Sequence, residues 1–154
     1  MSLLGNTLFK KSVLTISLII FSGFLVFFIF NREQSSLLRK LEINEIIINI
    51  KIASNQEQKI KGLSERNYLS ANQGMLFVYE KPQKISIWMK NMRFAIDIIW
   101  IDENFKIIHI ENSVQPDSFP TTFSSPEPAK YVLEINAEFT TKNNIKVGDE
   151  IKLR

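Results

Sequence analysis

Gly74-Met75-Leu76-Phe77, Trp88-Met89-Lys90-Asn91 and Asp97-Ile98-Ile99-Trp100-Ile101-Asp102 decide how this chain is read. The first and third stretches are short and apolar, the composition of buried strands. Between and within them stand an indole, an ammonium, an amide and a carboxylate. Such groups serve a binding pocket, and they equally serve to close a small β-domain.

Working outward, Ile46, Ile48, Ile50 and Ile52 alternate with Ile47, Asn49 and Lys51, the period of a strand with one buried face. Strands are expected over 46–52, 75–79, 85–89, 96–101, 105–110, 131–135 and 150–153. The polar run 55–61, closed by Gly62, predicts a short helix. A second short helix is expected over 137–143, capped by Asn136. Asp102-Glu103-Asn104 suits a tight hairpin, with Asn104 best able to take a positive φ. Four prolines, at 116, 120, 126 and 128, mark 112–130 as a long loop fit to be a lid, a rim or a contact surface for a protein partner. The fold class expected is β-rich α+β. It is a single small domain with a strongly bent or partly closed, mostly antiparallel sheet and two short helices.

Ahead of this domain, 12–30 carries no charge over 19 residues, and Lys10 and Lys11 precede it. As a helix it would extend roughly 28 Å, about the hydrocarbon thickness of a bilayer. The expected organisation is a cytoplasmic N-terminus at 1–11 and a transmembrane signal anchor from Ser12 to Phe30. A polar tether at 31–41 and an exported domain at 42–154 follow. A cleaved signal peptide is the rival reading; the length of the run and the lack of an Ala-x-Ala-like site stand against it.

Composition narrows the chemistry. Residues 32–154 hold 17 basic and 16 acidic side chains, so no nucleic-acid partner is expected despite the sequence pI of 9.1. With no cysteine, thiol catalysis, disulfides and thiolate metal sites are excluded. With one histidine, His109, two-histidine zinc motifs are excluded too, and neither metal nor cofactor is expected. No Gly-x-Ser-x-Gly element is present, and no serine matches His109 and an acid.

The candidate pocket residues are Trp88, Lys90, Asn91, Asp97 and Glu134. Trp88 and Lys90 share a face by period two and would suit a sugar ring or an anionic ligand, or else form a rim and a solvated charge. Asn91 is open to ligand binding or to satisfying its own loop. Asp97, flanked by Ile96 and Ile98, either anchors a pocket or accepts hydrogen bonds from the 91–95 loop or Arg93 to pin the hairpin. His109 is expected on the face of Ile107. Glu134 is expected on the face of Val132, by default toward solvent.

Residues from about 46 to 153 resemble the domain of unknown function 192 family of bacteria and archaea. Lys61-Gly62-Leu63 with Arg66 resembles its first motif. Gly74 to Phe77, Trp88 to Asn91 and Asp97-Ile98-Ile99 resemble its central block, and Val132-Leu133-Glu134 with Gly148-Asp149 its C-terminal block. The chain departs from the pattern at Ser64, where methionine is usual, at Ala95, where proline is common, and at Glu138, where glycine is usual. The resemblance implies a fold, and an exported or anchored address, more than a chemistry. The function expected is a membrane-anchored binding or accessory domain, probing a small molecule, a glycan or an envelope protein. The alternative is a small envelope hydrolase or carbohydrate-active enzyme using Asp97 with Glu134 or His109.

Overall fold

The computed structural model describes residues 38–154; the expected anchor and most of the expected tether lie outside the described residues. Strands β1 (Leu38–Ile43), β2 (Ile46–Ala53) and β3 (Gln73–Gln83) are followed by β4 (Ser86–Trp88), β5 (Ile96–Ile101) and β6 (Ile107–Val114). Then come β7 (Thr122–Ser124), β8 (Ala129–Asn136) and β9 (Ile151–Leu153), with short helices α1 (Gln56–Lys61) and α2 (Phe139–Lys142). Seven strands form one sheet in the order β6-β5-β8-β3-β2-β1-β9, and β4 pairs with β7 separately. Every pairing is antiparallel except β2 with β3. At its ends the sheet curls back on itself. Ile107 N donates to Asp149 O and Ile151 N donates to Phe105 O, both at 2.9 Å, so the β9 edge reaches the start of β6. The expected partly closed β-rich fold is present.

The curl gives the sheet two covered faces. The inner face gathers Leu41, Ile43, Ile48, Ile50, Leu76, Ile99, Ile101 and Leu133. The outer face gathers Met75, Phe77, Ile98, Trp100 and Val132, packed under Leu63, Ile87 and Met89 from the covering segments. Every residue of β5 is buried, which is why 96–101 is apolar on both faces, Asp97 apart, rather than alternating. Trp100 donates its indole N–H to Ile85 O at 3.0 Å, fixing the covering segment to the outer face. Gly74 sits where β3 meets β8. A Cβ there would lie 3.0 Å from Glu134 O and from Ile135 Cγ2, so any side chain would have to push β8 back by a few tenths of an ångström.

Several expectations shift. β1 begins inside the segment expected to be a tether; its charges mask Leu41 and Ile43, which point into the inner core. The 112–130 segment is not one loop: β6 runs to Val114, a 3-10 turn covers Pro116–Ser118, and β7 pairs with β4. In the β5–β6 hairpin the positive φ falls on Phe105, not Asn104. The Phe105 ring stacks on Tyr131 with centroids 5.1 Å apart, a packing gain that offsets the conformational cost. Asp102 Oδ1 accepts from Asn104 N and Lys106 N and holds the turn. His109 does not share the face of Ile107. Trp100 pairs with His109 but Ile101 pairs with Ile107, so one extra residue bulges β6 and inverts the parity.

The first helix forms as read, with Asn55 as a capping box partner of Gln58 and Gly62 at its C-terminus. The second is not capped by Asn136, whose amide donates to Ser70 O instead. Asp97 caps it from β5. Asp97 is fully buried; its Oδ1 accepts from Ser113 N at 2.8 Å and Glu138 N at 3.0 Å. Its Oδ2 accepts from Thr140 N at 2.9 Å and from the Thr140 hydroxyl at 2.7 Å. None of these donors comes from the 91–95 loop, and Arg93 binds Asn67 instead. Glu138, at φ +64, occupies a left-handed backbone position, a conformation that the glycine expected there from the resemblance takes without strain.

Asp97→Ala would orphan three buried or half-buried backbone N–H groups at once. The expected loss is about 3 kcal/mol or more of unfolding free energy, read from denaturant titration. A loss within the range of a surface substitution would show that the carboxylate does not hold α2.

Candidate functional site

On the outer face a cavity of about 290 Å³ opens beside α1. Its walls are Lys59, Ile60, Lys61, Gly62, Leu63 and Ser64 from α1 and the turn after it, Phe77 and Tyr79 from β3, and Ile87, Trp88 and Met92 from the covering segment. Glu134 of β8 also lines it. The first-motif glycine has a geometric reason here. Gly62, at φ +48, would place a Cβ 3.3 Å from the Phe77 ring and 3.8 Å from Glu134 Oε2. Its bare backbone therefore keeps the chain close against the carboxyl.

Glu134 is the unusual member. It is 5% exposed, and its Oε2 is buried with no hydrogen-bond partner. Burial pushes its pKa from 4.5 up to about 8, with Arg66 pulling weakly the other way. The expectation of a solvent-facing carboxylate is thus corrected. Glu134 does share the face of Val132, but the α1 segment covers that face. Burial, and the nearby Glu134 carboxyl, also raise the Tyr79 phenol above its ordinary value. Lys59 Nζ stands 4.2 Å from the centroid of the Tyr79 ring.

The five residues singled out from the sequence divide. Trp88 and Glu134 line the cavity. Lys90 is exposed, with Nζ 5.7 Å from the Trp88 ring centroid, and its carbonyl accepts from the Ser64 hydroxyl at 2.9 Å. Asn91 sits at φ +58 and its carbonyl accepts from Glu65 N, the geometry of a turn residue. Asp97 lies on the inner side, its oxygens filled by the fold. Ile98, not Asp97, pairs with Glu134 across β5 and β8, so the two carboxyls face opposite sides of the sheet. The His109 ring lies tilted against Trp100 with centroids 5.3 Å apart, and its Nε2 lies 3.0 Å from Glu111 Oε1. Gly62, Phe77, Tyr79 and Lys59 were not read as site residues. The Lys61-Gly62-Leu63 motif is their signal in the sequence, and its role depends on α1 and the turn after it covering Glu134 of β8. Among the described residues no group of three or more histidines or acids is placed to hold a metal ion.

Residues 39–153 match the model of DUF192, described as uncharacterized ACR. This chain belongs to the DUF192 family. No curated protein matches it. The DUF192 domain is similar in structure to a Sinorhizobium meliloti 1021 protein described as a candidate transcription regulator, with TM-score 0.71 and 25% identity over 75% of this chain and 92% of that one. It is also similar to a protein of unknown function from Novosphingobium aromaticivorans DSM 12444, with TM-score 0.69 and 25% identity over 73% of this chain and 83% of the other.

The buried carboxyl makes a pH prediction. Glu134 of the DUF192 domain keeps its proton in the fold between pH 4.5 and about 8, where the unfolded chain has lost it. Its contribution to stability is fully present below the unfolded value and is lost as pH rises through the folded one. Denaturant midpoints taken from pH 5 to 9 should fall by the equivalent of a few kcal/mol, roughly. In Glu134→Gln most of that fall should disappear. An unchanged slope would assign the titration to another group.

Proposed function

We propose that this chain is a membrane-anchored binding module that takes a small ligand into the cavity over Glu134. The observation that carries the reading is the buried Glu134 carboxyl, one oxygen of it unpartnered, in a cavity whose wall mixes apolar and aromatic side chains with the polar Gln56, Lys59, Lys61, Ser64 and Ser86. An unmet polar group costs stability, and no contact within the described domain uses it. A ligand that hydrogen-bonds it would recover that cost, and apolar walls with a few convergent polar groups are what small-ligand sites offer. Trp88 at the rim, 48% exposed, adds an aromatic face. Lys90 and Asn91 act by shaping the turn behind that face.

Catalysis receives less support than binding. Both Asp97 oxygens are engaged by backbone N–H groups of the fold and buried away from the cavity, on the opposite side of the sheet from Glu134. A regulator's role, as described for the Sinorhizobium protein, is not favoured here by the near balance of 17 basic and 16 acidic residues after position 31.

The module is anchored by the apolar run 12–30, with its N-terminus inside and its domain outside the cytoplasmic membrane. The full-length protein should sediment with membranes, and protease added to intact spheroplasts should digest epitopes in the domain. Recovery in the soluble fraction, or protection from external protease, would overturn the address.

Binding is checked separately. A thermal-shift screen of the full-length protein against neutral, anionic and cationic small molecules should return a stabilising ligand. That ligand should have no effect on Met92→Trp, which fills the cavity. Ligands that stabilise both equally would move the site elsewhere.

A further inference from the structure

We infer that the cavity is a carbohydrate subsite, in which one sugar ring rests against Trp88 and presents a hydroxyl to the Glu134 carboxyl. The inference rests on the binding reading above and narrows it by chemistry.

Three observations choose the class. The first is what the carboxyl can exchange. With its proton retained, Glu134 offers one O–H donor and acceptor oxygens within a single group, and a hydroxyl answers both. The second is the charge around it. Lys59 and Lys61 line the cavity, and the Arg66 charge reaches Glu134. These cations oppose a ligand ammonium, so the carboxyl is a poor cation receptor despite its sign when ionised. Neutral rings, or rings bearing an acidic group, fit that field better. The third is the aromatic rim. Trp88 is half exposed and braced edge-on by Phe119 at 6.3 Å between centroids. A braced, partly exposed indole presents a flat apolar face to the C–H side of a ring while its surroundings stay wet. At about 290 Å³ the space is at the lower end of ligand pockets, suited to one ring of a longer chain that continues into solvent.

The purely architectural reading explains less. Trp88 contributes little to the core, being flanked by the buried Ile87 and Met89 that do the packing. Glu134 would be better replaced by an apolar side chain if it served packing alone.

The test uses the full-length protein in lipid nanodiscs, so that no glycosidic detergent competes. Intrinsic fluorescence is suitable because Trp88 is exposed while the other tryptophan, Trp100, is fully buried. Glucose, N-acetylglucosamine, glucuronate and glucosamine are titrated beside benzylamine and benzoate as non-carbohydrate probes. The expected result is saturable binding of at least one of the neutral or acidic sugars, with glucosamine weakest. Glu134→Met, read by the same fluorescence, and Trp88→Ala, read by isothermal titration calorimetry because it lacks the reporting indole, should each weaken it, roughly tenfold or more, while leaving the far-ultraviolet circular dichroism unchanged. Silence of every sugar overturns the carbohydrate inference. If benzylamine or benzoate then binds in a Glu134-dependent way, the binding module stands with a different ligand class; if they too are silent, both readings fall. Sugar binding that survives both substitutions also overturns the inference, because the ring would be seated elsewhere.

Discussion

A single buried carboxylate organises the far end of this sheet. Asp97 accepts three backbone N–H groups and one hydroxyl, from β6, from the turn before α2 and from α2 itself. Two of those donors belong to residues in left-handed backbone, Ser113 at φ +53 and Glu138 at φ +64. The conformation aims their N–H groups at the carboxylate, so the local strain and the buried charge explain each other. The bulge that opposes Ile96 and Ile98 to Val114 and Glu111 is part of the same device, since it turns Ser113 N out of the ladder and toward Asp97.

The neighbouring strand carries the opposite case. Asp97 and Glu134 sit one register step apart on β5 and β8, yet alternation sends one to the inner face and the other to the outer. The inner carboxylate has every oxygen occupied. The outer one is covered by a helix–turn segment whose residues close around it and donate nothing to it. The same chemical group is thus structural on one side of the sheet and unspent on the other. This contrast separates an architectural acid from a candidate binding acid better than burial alone, because both are buried.

Much of the fold was legible along the chain. The alternation of 46–52, the apolar positions of 96–101 and the polar run 55–61 closed by Gly62 each encode local structure through local physics, so they read correctly. What failed depended on distant partners. β1 carries charges that hide its inward Leu41 and Ile43 until β2 and β9 flank it. Phe105 takes the left-handed turn position because Tyr131 waits beneath its ring. The cap of α2 comes from Asp97, which is 41 residues from Glu138 along the chain. The candidate site was half legible for the same reason. Trp88 and Glu134 carry chemistry in their names, but which of the acids lacks partners depends on where α1 folds, and no spacing states that.

The first described strand and the last are neighbours. β1 pairs with β9 from Ile43 against Ile151 to Leu41 against Leu153, and Arg154 N donates to Lys40 O. The sheet therefore cannot be completed from its beginning outward. A nascent chain holds β1 with one edge unpaired until β9 has emerged from the ribosome, and loop closure over the whole domain comes late. During that interval the open edge is a template for other strands. Arg39 and Lys40, exposed on β1, place like charges along that edge and discourage one nascent copy from pairing with the next.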